Sequence, residues 1–401
     1  MSGSRIERFR CRGLRVVYQS HPGRLTAIAL TVRAGARFDR QHPGLAHMAE
    51  HMLFQGTARL DQIALNRRAA ELGGEHNADT GYEDIALTIE VFNEDLDAAL
   101  ALLAEQYYHT RIDPKRFRKE RRVVMEEIRG RRDDPADRVY RQAWAGLFGG
   151  SLAHPVSGSL ASVREIEPQD VARFLRRQFD HPNTVLAVVG GISLERARAL
   201  VRRHFRHGAS GMPAQPPSVR IRPGGLLRVR DRNSNQAYLT KLIAVDPHPR
   251  RLLAVGVALD LVGADPDSHL FQELRERLGL SYEVSATLEW GPDWAVAVLS
   301  ASAARSQAER LLRALEEICR QTTETGFAAD DLERTRRKIR YRYALLADNR
   351  LDKALALAEG VLWNFPTPAA AERIVDRLSA REIEAEWRCA LAGRTVTALL
   401  S

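Results

Sequence analysis

Apolar and polar positions alternate in two periods along this chain, and the order of those periods in the first half returns in the second. In the first half, Arg15–Tyr18 and Thr26–Arg33 read as strands and are followed by helices near 44–54 and 61–72. A strand over Ile85–Phe92 leads into helices near 94–108 and 114–132, and a strand over Thr184–Val189 precedes another helix. The second half repeats the scheme, with strands near 226–230 and 236–245 before helices near 249–262 and 268–278. Strands near 282–289 and 294–301, helices near 304–324 and 328–347 and a last strand over Thr395–Leu400 complete it. Residues 206–225, RHGASGMPAQPPSVRIRPGG, are rich in Gly and Pro and carry neither period, which marks a linker. The expected class is therefore α+β. Two homologous domains, 1–205 and 226–401, should each form a mainly antiparallel sheet covered on one side by helices.

At 401 residues the chain is long enough for two substantial cores. A net charge of +9 raises the question of nucleic acid. Lysine stands only at 115, 119, 241, 338 and 353, so arginine carries nearly all of the charge. Those arginines are spread over helices with interleaved acids and form no basic stripe with stacking aromatics, so no nucleic-acid partner is expected. Cysteines at 11, 319 and 389 are odd in number and far apart, which suggests neither a disulfide framework nor a thiolate metal site. The N-terminal stretch MSGSRIERFRCRGLRVVYQ has no apolar core of signal-peptide length, and nothing later approaches a membrane span. A cytoplasmic, bacterial-type location without a membrane partner is the expectation.

Candidate chemistry concentrates at His47-Met48-Ala49-Glu50-His51. In a helix the two histidines stand one turn apart and project from the same face, with Glu50 beside them. Neutral imidazoles suit zinc, and a catalytic zinc site keeps three protein ligands with one position open to water. The order H-x-x-E-H inverts the commoner H-E-x-x-H motif. Pro43-Gly44 can open such a helix and Gly56 can close it, while Leu45, Met48, Met52 and Leu53 offer a packing face. A third ligand is needed. Glu120 and Glu127, seven apart on the helix read over 114–132, point the same way, so Glu127 could hold the metal while Glu120 supports a ligand from behind. Glu126 points about 100° away and is the weaker candidate. An ordinary charged helix, with these acids solvated among arginines, is the alternative reading of the segment.

These segments resemble the pitrilysin/insulysin-type zinc peptidases, and in particular the short-subunit branch that includes the mitochondrial processing peptidase. The matching stretches are HPGLAHMAEHMLFQGT (42–57), AAELGGEHNADTGYEDIALTIEV (69–91), ERRVVMEEIRGRRDDP (120–135), TVLAVVGGIS (184–193) and LFQELRERLGLSYEVSA (270–286). The resemblance spans nearly the whole chain. It implies a half-clamshell of two homologous domains, with one Zn2+ per chain on His47, His51 and Glu127. Glu50 is then the general base, and Glu120 stands behind the ligands. It further implies that Arg275 and Tyr282 hold the substrate carbonyl and steady the oxyanion, with Arg277 the fallback for Arg275. The edge at Asn77 and Ala78 would pair with an extended peptide backbone. One departure is noted: where related subunits carry a glycine-rich loop, this chain reads VGADPDSHLFQEL (262–274).

The implied function is a zinc metalloendopeptidase cleaving peptides or unfolded segments in an enclosed chamber, with precursor or leader-peptide processing among the roles this chemistry serves. A non-catalytic structural or partner subunit of a heterodimeric peptidase is the alternative. Two domains make half a chamber, and both half-sites occur here, so a homodimer sharing its sites is the expectation, a heterodimer with a related subunit the other option.

Overall fold

A computed structural model of the chain describes residues 5–208, 211–231, 234–263, 265–281 and 283–401. It divides into two compact units, each with its own sheet. Unit 1 comprises residues 1–128, 154–217 and 344–368; unit 2 comprises 129–153, 218–343 and 369–401. The units are thus not contiguous halves, because each contains a segment from the other side of the expected linker.

In unit 1, strands β1 (Ile6–Cys11), β2 (Leu14–Ser20), β3 (Leu25–Val32), β4 (His76–Thr80) and β5 (Ile85–Phe92) join the strand Thr184–Gly190. The order across the sheet is β1, β2, Thr184–Gly190, β3, β5, β4. All pairings are antiparallel except that of β2 with Thr184–Gly190. Alternate residues face opposite sides of a strand, and here both sides are buried. Ile28, Leu30, Leu186 and Val188 face the larger core, which also takes in Leu45, Met48 and Met52. Ala27, Ala29, Ala187 and Val189 face a second, smaller core.

The helix Arg350–Trp363 fills that second face with Ala354, Leu357, Ala358 and Leu362. Its start is capped by Asn349, whose side chain accepts from the N–H groups of Leu351 and Asp352 at 2.9 and 3.1 Å. Alanines on both helix and sheet allow a close approach. The expectation of a sheet covered on one side is corrected here. The covering segment lies some 160 residues downstream of the last strand, where no local pattern ties it to this sheet.

Unit 2 is built alike. Its sheet runs in the order Val284–Trp290, Ala295–Ala304, Gln236–Val245, Thr395–Leu400, Gly225–Val229, with only the last pair parallel. The helix Pro135–Leu147 lies on one face, where Gly146 meets Leu227 and Val396, and Pro249–Gly263 lies on the other, where Gly263 meets Ala286. Cross-strand partners point to the same side of a sheet, and Val396 and Ala286 fall on opposite parities of the register. No helix among the described residues is long and apolar enough to cross a membrane.

Candidate metal centre

The histidine helix, α1 (Leu45–Leu53), buries Leu45, Ala46, Met48, Ala49, Met52 and Leu53. That leaves His47, Glu50 and His51 as a polar stripe at helical spacing. Its N-terminus is held from a distance. Asp39, only 4% exposed, accepts from the N–H of Gly44 at 2.6 Å and of Ala46 at 2.7 Å. Burial nevertheless raises the Asp39 carboxyl well above the ordinary range, against those backbone bonds. Gly44 adopts φ +95°, and a Cβ there would lie 2.7 Å from the Ser157 carbonyl oxygen, so glycine is required.

The next helices are α2 (Gln62–Glu71), α3 (Leu96–His109) and α4 (Pro114–Asp133), of which α4 belongs to unit 1 as far as Ile128. Along α4, Phe117, Glu120, Val124 and Ile128 form the buried stripe. Glu127 borders that stripe, its side chain 40% exposed. Its Oε2 lies 3.8 Å from His47 Nε2 and 3.7 Å from His51 Nε2. The two rings meet edge to face at 4.7 Å between centroids.

Among the described residues this is the one set of three potential metal donors that converges within 4.8 Å. Ligands about 2.0–2.2 Å from a tetrahedral zinc stand roughly 3.3–3.5 Å from one another, so the Glu127 carboxylate lies within a few tenths of an ångström of ligand spacing from each imidazole. Two imidazoles and one carboxylate also match the donor preference of zinc. His51 Nδ1 lies 3.3 Å from Glu120 Oε2. With the Nδ1–H donated to that buried carboxylate, Nε2 keeps its lone pair toward His47 and Glu127.

Glu50 is half-buried beside the ligands and accepts from the Thr80 hydroxyl at 3.0 Å. Burial raises its carboxyl above the ordinary range; His51 and the Thr80 bond oppose this, while Asp79 and Glu127 add to it. The β4 strand pairs with β5 in the register Asn77↔Thr88 and Ala78↔Leu87, and its other edge takes no strand among the described residues. Asn77 is exposed and Ala78 buried.

The structure therefore gathers His47, Glu50, His51, Glu120 and Glu127, with the Asn77–Ala78 edge in the same unit. Arg275 belongs to unit 2. There the expected regular helix over 268–278 is widened into a π-helix over Phe271–Arg277, with Leu278 N–H bonded to the Glu273 carbonyl. Arg275 stacks over the Phe271 ring at 4.7 Å, whereas Arg277 is tied to Glu273 at 2.6 Å. Tyr282 lies outside the described residues. Sequence reasoning missed Thr80. The period-2 pattern contains it, since residues 76, 78 and 80 share a face, but the edge read from the sequence takes in only Asn77 and Ala78.

Fold and site together define a peptidase scaffold. The family description Insulinase (Peptidase family M16) matches residues 15–156, and Peptidase M16 inactive domain matches residues 165–339. The chain belongs to peptidase family M16, the insulinase family. An uncharacterized zinc protease of Mycobacterium leprae is 32% identical over 69% of this chain, a span just under two thirds (64%) of that relative's length. The uncharacterized zinc protease YmxG of Bacillus subtilis is 24% identical over 84% of this chain and 83% of its own. Two crystal structures share the fold. A protease from Helicobacter pylori has a TM-score of 0.91 at 18% identity, covering 99% of each chain. A peptidase M16 inactive domain from Pseudomonas fluorescens has a TM-score of 0.90 at 17% identity, covering 98% of each. The same architecture thus occurs in a protease and in a domain named inactive, so activity depends on the site residues rather than on the fold.

Proposed function

We propose that this chain is a zinc-dependent metalloendopeptidase acting on peptides or unfolded segments. The observation that carries the reading is the convergence of His47, His51 and Glu127 beside a half-buried, hydrogen-bonded Glu50. Relatives named zinc proteases support it. Zinc held by those three residues supplies Lewis acidity, polarising a carbonyl and lowering the pKa of water. Glu50 accepts a proton as water adds to the scissile carbonyl carbon, then delivers one to the amine as the C–N bond breaks. Glu120 keeps His51 oriented. The open edge of β4 suits an extended peptide, because main-chain pairing binds a backbone without demanding a sequence.

Zinc content and turnover of two variants test this. Glu50→Gln should keep its zinc and lose about 10²–10⁴-fold in rate, while Glu127→Ala should lose the metal. A zinc-free Glu50→Gln protein, or a fully loaded Glu127→Ala protein, would refute the assignment.

Arg275 and Tyr282 are proposed to steady the oxyanion, since a guanidinium and a phenol suit developing negative charge. The presence of both half-sites in one chain supports a homodimer that shares them. Mixing Glu50→Gln protein with Arg275→Ala/Tyr282→Phe protein should then restore activity. No recovery after demonstrated subunit exchange would reject sharing.

A further inference from the structure

The geometry points to Thr80 as a positioning residue that couples docking of a peptide on the edge strand to the orientation of Glu50. This inference rests on the peptidase reading above. Among the described residues, Thr80 is the one hydrogen-bond donor to the Glu50 carboxylate, at 3.0 Å. Two negative neighbours, Asp79 and Glu127, act on that carboxylate electrostatically. A long, flexible Glu side chain in such surroundings needs a fixed donor to stay at its station.

Thr80 is well built for the task. It is the last residue of β4 and pairs with Ile85 of β5, which sets its backbone. Its β-branch restricts χ1, so the hydroxyl direction follows from the backbone. It lies on the face of β4 shared with the buried Ala78, while Asn77 and Asp79 are exposed on the other face. A peptide that adds itself to the free edge of β4 stiffens the strand carrying this hydroxyl. The base is then held most firmly when substrate is in place.

Four proteins test this: wild type, Thr80→Val, Thr80→Ser, and Thr80→Val combined with Glu50→Gln. Valine keeps the branched shape and removes the donor; serine keeps the donor and loosens χ1. Thr80→Val should keep zinc content, melting temperature and KM near wild type while kcat falls about 10- to 100-fold, the worth of a hydrogen bond to a charged group. Thr80→Ser should recover most of that loss. In the Glu50→Gln background the Thr80→Val change should cost nothing more, because it acts only through residue 50. An unchanged kcat in Thr80→Val would overturn the proposal, as would a serine variant as slow as the valine one or an equal further loss in the Glu50→Gln background. Crystal structures of wild type and Thr80→Val supply a readout independent of turnover. The Glu50 carboxylate should leave its place in Thr80→Val, and a carboxylate that stays put overturns the inference. If wild type cleaves no peptide, the peptidase reading fails by itself, and the crystallographic comparison still decides the role of Thr80.

Discussion

Removing the Glu120 side chain separates a residue that orients a ligand from one that is a ligand. Glu120 is 8% exposed, and its Oε2 lies 3.3 Å from His51 Nδ1. In Glu120→Ala the imidazole loses that acceptor, and its tautomer and ring angle are no longer set. Loss of such an outer partner typically weakens metal affinity about 10- to 100-fold, or roughly 1.4–2.7 kcal/mol. Glu120→Gln should fall between, because an amide oxygen still accepts from the Nδ1–H but carries no charge. Glu127→Ala removes a donor 3.7–3.8 Å from both imidazoles and should abolish stable binding. The expected order of zinc affinity is therefore wild type, Glu120→Gln, Glu120→Ala and, far below, Glu127→Ala. Competition of each metal-free protein against a chromophoric chelator at fixed pH measures it. Wild-type affinity in Glu120→Ala would show that His51 is oriented by something else. A Glu120→Ala protein as metal-free as Glu127→Ala would make Glu120 a ligand and undo the assignment.

Three further outcomes concern the frame around the site. Gly44→Ala forces a side chain into φ +95° and to within 2.7 Å of the Ser157 carbonyl, so calorimetry should show a loss of about 1–3 kcal/mol; a neutral change would refute the close approach. Leu357→Ala empties a position 2% exposed beneath the first sheet and should destabilise by about 2–5 kcal/mol; a loss under about 1 kcal/mol would place that helix elsewhere. Glu359, on the same helix, has its carboxyl pushed up to about 8, by burial first and then by Asp84 and Asp79, while burial takes Asp84 to about 6. Both acids hold protons in the fold that the unfolded chain releases, so their contribution to stability is full at low pH and declines as pH rises from the ordinary carboxylate range toward about 8. Glu359→Gln should flatten that decline in melting temperature; an unchanged slope would refute it.

The sequence by itself determined the local elements and the polar half of the centre. Helical periodicity placed His47, Glu50 and His51 on one stripe of α1 and Glu120 with Glu127 on α4, because spacing along a single helix is a property of its own backbone. Period-2 runs located most strands of both sheets for the same reason. Tertiary structure alone decided what crosses between elements. The 3.7–3.8 Å approach of Glu127 to the histidines depends on how α4 packs against α1, which no periodicity within either helix encodes. Asp39 caps α1 across a turn, and Thr80 reaches Glu50 over 30 residues. The clearest case is the helix Arg350–Trp363. Its pattern shows an apolar face but not which sheet receives that face, and hydrophobic burial is non-directional. Only assembly of the whole chain selects the first sheet, where small residues on both partners let the surfaces close.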